Sequence, residues 1–85
     1  MDTKIAMISI IIEDKASVEK MNAILHEYSS YIIGRMGIPY RDANVNLISV
    51  SIDAPLDVIN ALSGKLGRLA GVSTKTAYSN VKGRG

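Results

Sequence analysis

The sequence predicts a single α+β domain with the element order β-α-β-β-α-β. Three observations lead there. Four short stretches rich in isoleucine, valine and threonine are of strand length. Two longer stretches between them repeat their apolar residues at helical spacing. Polar, glycine or proline breaks separate all six, and no structureless run is long enough to be a linker.

The first strand is read from Lys4 to Ile12, where Ile-Ala-Met-Ile-Ser-Ile-Ile-Ile follows the lysine. Asp14 or Ser17 is expected to cap the first helix, whose apolar face is Val18, Met21, Ile24, Leu25 and Tyr28. Ser29-Ser30 ends it. Tyr31–Ile38 is the second strand, closed by Pro39, which cannot donate to a ladder. The polar Arg41-Asp42-Ala43-Asn44 has hairpin length. Val45–Ile52 is the third strand, with Ile48, Val50 and Ile52 alternating against Ser49 and Ser51. Asp53-Ala54-Pro55 starts the second helix, with the proline in its first turn. Leu56, Ile59, Leu62, Leu66 and Leu69 form its apolar face, and Gly71 closes the helix or the turn after it. Gly64 and Gly67, with Asn60 and Ser63, make a smooth stripe. The stripe signals either close packing against another backbone or an early helix end near Ser63. Val72–Tyr78 is the last strand, and residues 80–85 are expected to be a flexible tail after a domain spanning 1–79.

This order is the split β-α-β, or ferredoxin-like, arrangement: two helices on one face of a four-stranded antiparallel sheet, the other face open. Alternation sends Ala6, Ile8, Ile10 and Ile12 toward the helices. Ile5, Met7, Ser9 and Ile11 then face outward, with Leu47, Ser49 and Ser51, Ile33 and Arg35, and Ser73, Lys75 and Ala77. An apolar strip of this kind calls for a cover. A domain of this length buries only about 60% of its unfolded surface, yet 47% of its residues are hydrophobic. A homo-oligomer, dimer or tetramer, is therefore expected. Ser9, Ser49, Ser51, Arg35 and Lys75 on that face are the candidate ligand-binding residues for a small anionic effector, because hydroxyls and a guanidinium bind carboxylate or phosphate. The competing reading pairs Arg35 with Asp53 or Glu13 of a neighbouring subunit.

Composition excludes much else. With no cysteine and one histidine, His26, no disulfide, thiolate metal site or cofactor is expected. No catalytic constellation is present: there is no Gly-x-Ser-x-Gly elbow and no phosphate loop, and Glu13-Asp14 is accounted for by a strand end. A small hydrolase of this topology would need an arginine in the loop after the first strand, where Lys15 is the only cation. A net charge of +2 with interspersed signs gives no nucleic-acid footprint. RNA-binding modules of this topology stack bases on aromatics of the central strands. Here Phe and Trp are absent, and the four tyrosines lie outside the first and third strands. With no cleavage signal and no apolar run of about 18 residues, a cytoplasmic, membrane-free location is expected.

Ala23-Ile24-Leu25-His26-Glu27-Tyr28 and Ile33-Gly34-Arg35-Met36-Gly37-Ile38-Pro39-Tyr40-Arg41 resemble the iron-only hydrogenase system regulator family. So do Ala61-Leu62-Ser63-Gly64-Lys65-Leu66-Gly67 and Gly71-Val72-Ser73-Thr74-Lys75-Thr76, and the resemblance covers about residues 4–78. It implies an ACT-like domain, similar in fold to amino-acid-sensing modules and to the C-terminal domain of nickel-responsive repressors. The metal ligands of the latter have no counterparts here. The loop Glu13–Ser17 also lacks the glycine usual in amino-acid-binding members. The implied role is a non-enzymatic regulatory module in the hydrogenase maturation system, binding a small ligand or a protein partner at an oligomer interface. The alternative is a purely structural or assembly protein with no small ligand.

Overall fold

The computed structural model describes residues 2–85. Its elements are β1 (Lys4–Ile12), α1 (Ser17–Glu27), β2 (Ile32–Tyr40), β3 (Val45–Ala54), α2 (Leu56–Gly67) and β4 (Val72–Lys82). One-turn helices at Ser29–Tyr31 and Arg41–Ala43 connect α1 to β2 and β2 to β3. The sheet order is β2-β3-β1-β4 and every pair is antiparallel. This is the ferredoxin-like arrangement expected from the sequence.

The two central strands carry the core. Ala6, Ile8, Ile10 and Ile12 of β1 and Ile48, Val50, Ile52 and Ala54 of β3 are buried against Met21 and Leu25 of α1 and Ile59, Leu62 and Leu66 of α2. Both strands alternate without interruption, so one face is apolar and fixed by period two. Val18, Ile24 and Tyr28 pack at the margin, as their helical spacing predicts.

Leu56 departs from its expected place and is 45% exposed. At 100° per residue it lies about 90° from the centre of the Ile59–Leu62–Leu66 stripe. It falls instead on the side of α2 that meets β4. There the smooth stripe finds its use: Tyr78 donates its hydroxyl to Asn60, Thr76 donates to Ser63 at 3.3 Å, and Gly67 lies against Thr74. The small residues of α2 let an edge strand with bulky polar side chains come close. The helix runs on to Gly67 and does not stop near Ser63.

The helix starts differ from expectation. Ser17 caps nothing: it is buried and donates its hydroxyl to the Ala70 carbonyl at 2.6 Å. Asp14 accepts the Ala16 N–H at 3.0 Å, two residues too early to be the helix cap. Pro55 precedes α2 with extended ψ, and its carbonyl accepts the Val58 and Ile59 N–H groups. The Glu13 N–H donates to the Gly71 carbonyl at 2.7 Å, tying the β1–α1 loop to the turn before β4.

Strand ends also extend past expectation. β2 continues through Pro39, paired with Asn46, because β2 is an edge strand and needs donors on one side only. β4 continues to Lys82, and the segment expected as a loose tail is held in place. Gly83 N–H donates to the Thr3 carbonyl at 2.9 Å, Arg84 N–H to the Asp53 carboxylate at 2.9 Å, and Gly85 N–H to the Thr3 hydroxyl at 3.0 Å. The Arg84 N–H, then the neighbouring Thr3 hydroxyl, hold the Asp53 carboxyl below the usual range despite partial desolvation.

Candidate functional site

The face of the sheet away from the helices is built in cross-strand rows. Register sets Ile38, Leu47, Ile11 and Ser73 in one row, and Met36, Ser49, Ser9 and Lys75 in the next. Gly34, Ser51, Met7 and Ala77 make a third. Neighbouring strands lie about 4.8 Å apart, so each row spans roughly 14 Å. The first row is mainly aliphatic. The second is polar at its centre and ends in the Lys75 ammonium. A groove of about 280 Å³ runs between them, lined by Ser9, Ile11, Met36, Ile38, Leu47 and Ser49. Met36 and Ile38 are 69% and 59% exposed. Ser51 turns its hydroxyl to the Met7 sulfur at 3.1 Å.

Of the predicted ligand residues, Ser9, Ser49, Ser51 and Lys75 share this face. Ser9 stands opposite both Ser49 and Lys75 in the register. Arg35 does not join them. It pairs with Val50, whose side chain is in the core, and its guanidinium donates to the Asn22 side-chain carbonyl of α1 at 3.0 Å. The cause is a β-bulge: Ile32 pairs with Ile52 and Gly34 with Ser51, so Ile33 is an extra residue in β2. One added residue reverses the side to which every later side chain points. Met36 and Ile38 therefore take the open face in place of Arg35. Gly34 was the available signal, since a glycine inside a strand marks bulges.

Of the concavities outside the open face, two border β2. One, of about 380 Å³, is lined by Lys15, Pro39, Tyr40, Arg41 and Asn44–Asn46 at the hairpin end of the sheet. The other, of about 320 Å³, lies between α1 and β2 and is lined by Asn22, Leu25, His26, Ser29, Ile32 and Arg35. Lys65 pairs with Glu27 at 3.5 Å and sits over the Tyr28 ring, bridging the two helices. Among the described residues, no three His, Cys, Asp or Glu side chains gather in a metal-holding cluster. No helix among them is long and apolar enough to cross a membrane.

Comparison with known proteins adds to this geometry. Residues 4–76 match a family model described as "TM1266-like: Iron-only hydrogenase system regulator, putative". The structure of the uncharacterized protein TM1266 from Thermotoga maritima is similar, with a TM-score of 0.86 and 32% identity. The match covers 89% of this chain and 96% of that one. A formyltetrahydrofolate deformylase from Pseudomonas putida shares the fold at TM-score 0.67 and 13% identity. That match covers 91% of this chain and 29% of the deformylase. An unknown protein from Galdieria sulphuraria does so at TM-score 0.63 and 13% identity, covering 93% and 46% of the two chains. A search of curated proteins found no match.

Proposed function

Because the chain belongs to the TM1266-like family of iron-only hydrogenase system regulators, we propose that it is a non-enzymatic regulatory module of ACT-like type. It works in the cytoplasm as a homo-oligomer, a dimer or tetramer formed through the open sheet face. A small anionic effector or a protein partner binds at the interface. The observation that carries this reading is the pair of features on that face. Ile11, Met36, Ile38 and Leu47 form an exposed apolar strip, and a row of hydroxyls with one ammonium lies directly beside it. Strips of this kind are characteristic of surfaces that associate. The hydroxyl row supplies donors that an apolar interface alone does not need.

Native mass spectrometry of protein purified from its own cells, with sedimentation at micromolar concentration, tests the proposal. Dimers or tetramers are expected, with retained mass beyond a whole number of chains. Ile11→Lys places an unpaired ammonium in the strip and shifts the population toward monomer. A chain that is only monomeric at that concentration refutes the assembly. An oligomer with no retained mass favours the second reading, a structural protein without a ligand, which the predominance of aliphatic side chains in the groove also supports.

A further inference from the structure

The bulge at Ile33–Gly34 moves the strongest anion-binding side chain of the sheet to its other side. Arg35 leans over the edge of the core onto α1, where the Asn22 side-chain oxygen accepts one of its N–H bonds at 3.0 Å. Among the described residues the ion pairs are Lys65–Glu27 and Lys82–Asp2, so Arg35 has no carboxylate partner. A guanidinium offers five donors in a fixed fork. Here one is taken by an amide that orients the group, and Arg35 lines a concavity between α1 and β2. An arginine already fixed in this way loses little further rotamer freedom on binding.

The concavity has the makings of a small site. Its base is the buried Leu25 and the half-buried Ile32. Asn22, His26, Ser29 and Arg35 complete its lining. His26 follows Asn22 by four residues and Ser29 follows His26 by three, which keeps all three on one side of α1 and the turn after it. At about 320 Å³ the space is at the small end of ligand pockets.

We propose that this groove between α1 and β2 binds a small organic carboxylate, its carboxylate on Arg35 and its aliphatic body over Leu25 and Ile32. The site goes beyond the proposed function: it shares with it only the anionic nature of the ligand, lies off the open face and does not need the oligomer.

The test is a titration of the isotopically labelled full chain with hexanoate, hexanol and inorganic phosphate, read by NMR at the Arg35 and Asn22 side chains and the Ser29 amide. Hexanoate is expected to give saturable shifts confined to these groups. Arg35→Gln weakens binding at least tenfold. Arg35→Lys also weakens it, because a point charge lacks the bidentate fork. Unchanged hexanoate binding in Arg35→Gln overturns the proposal. So does hexanol or phosphate binding as tightly as hexanoate. Sedimentation of the same samples separates this site from the assembly. A monomer that binds hexanoate through Arg35 sinks the open-face oligomer and keeps the groove. An oligomer that does not bind hexanoate does the reverse.

Discussion

Replacing Gly71 with alanine tests how the loop beside the sheet is held. Gly71 has φ +66°, in the left-handed region. A residue with a Cβ gives up about 1–2 kcal/mol to adopt it. The space is also closed: an added Cβ would lie 2.7 Å from the Asp14 Cβ and 2.9 Å from its backbone nitrogen. The second neighbour is main chain, so relief requires moving the β1–α1 loop. That movement stretches the Glu13 N–H to Gly71 carbonyl bond, now 2.7 Å. Overpacking of this kind costs about 1–3 kcal/mol. The two effects together give a loss of about 2–5 kcal/mol. A domain of this size has about 4–13 kcal/mol in all, so the variant forfeits a large share. Urea unfolding followed by circular dichroism at fixed protein concentration is the assay, since association shifts apparent stability. With a slope of about 2 kcal/mol per molar, a 3 kcal/mol loss lowers the midpoint by about 1.5 M. Gly34→Ala is the control. Nothing lies within 4 Å of its added Cβ, and alanine in a strand gains about 0.5–1 kcal/mol over glycine. If the two variants unfold at the same midpoint, the account of the turn is wrong.

Leu62→Ala removes a fully buried side chain where both helices meet the sheet; a loss of about 2–5 kcal/mol is expected in the same assay, and a loss under about 1 kcal/mol would show that the core is not closed there. Asp53 has its carboxyl held low by the Arg84 N–H. Its contribution is therefore complete above the unfolded pKa of about 3.9 and fades as pH falls through the lower folded value. Hydrogen exchange should show the Arg84 amide protected at neutral pH and released in acid, and Asp53→Ala should release it at neutral pH; protection that survives both would contradict the bond. The chain has one histidine and no cysteine, so nickel or zinc titration should show no stoichiometric uptake at micromolar concentration. Uptake that vanishes in His26→Ala would reverse that expectation.

The central strands and both helices were legible because their patterns are local and one-sided. Ile8, Ile10 and Ile12 repeat every second residue, and Met21 and Leu25 one helical turn apart. Burial of one face makes any slip costly, so the pattern and the register must agree. The edge strands carry no such constraint. In β2 every residue after Ile32 is exposed, and apolar residues alternate with nothing that names a face. A single bulge at Ile33–Gly34 was enough to send Arg35 to α1 and Met36 to the open face. Ser9, Ser49, Ser51 and Lys75 were placed correctly because β1, β3 and the paired part of β4 keep one register across that face. The end of the chain was also beyond local reading. Lys82-Gly83-Arg84-Gly85 has the composition of a solvated tail, and only the nearness of Thr3 and Asp53 in space gives its N–H groups acceptors. Sequence periodicity determines which face of an element is apolar. Where a polar side chain lands depends on register, which forms only when strands distant in sequence pair.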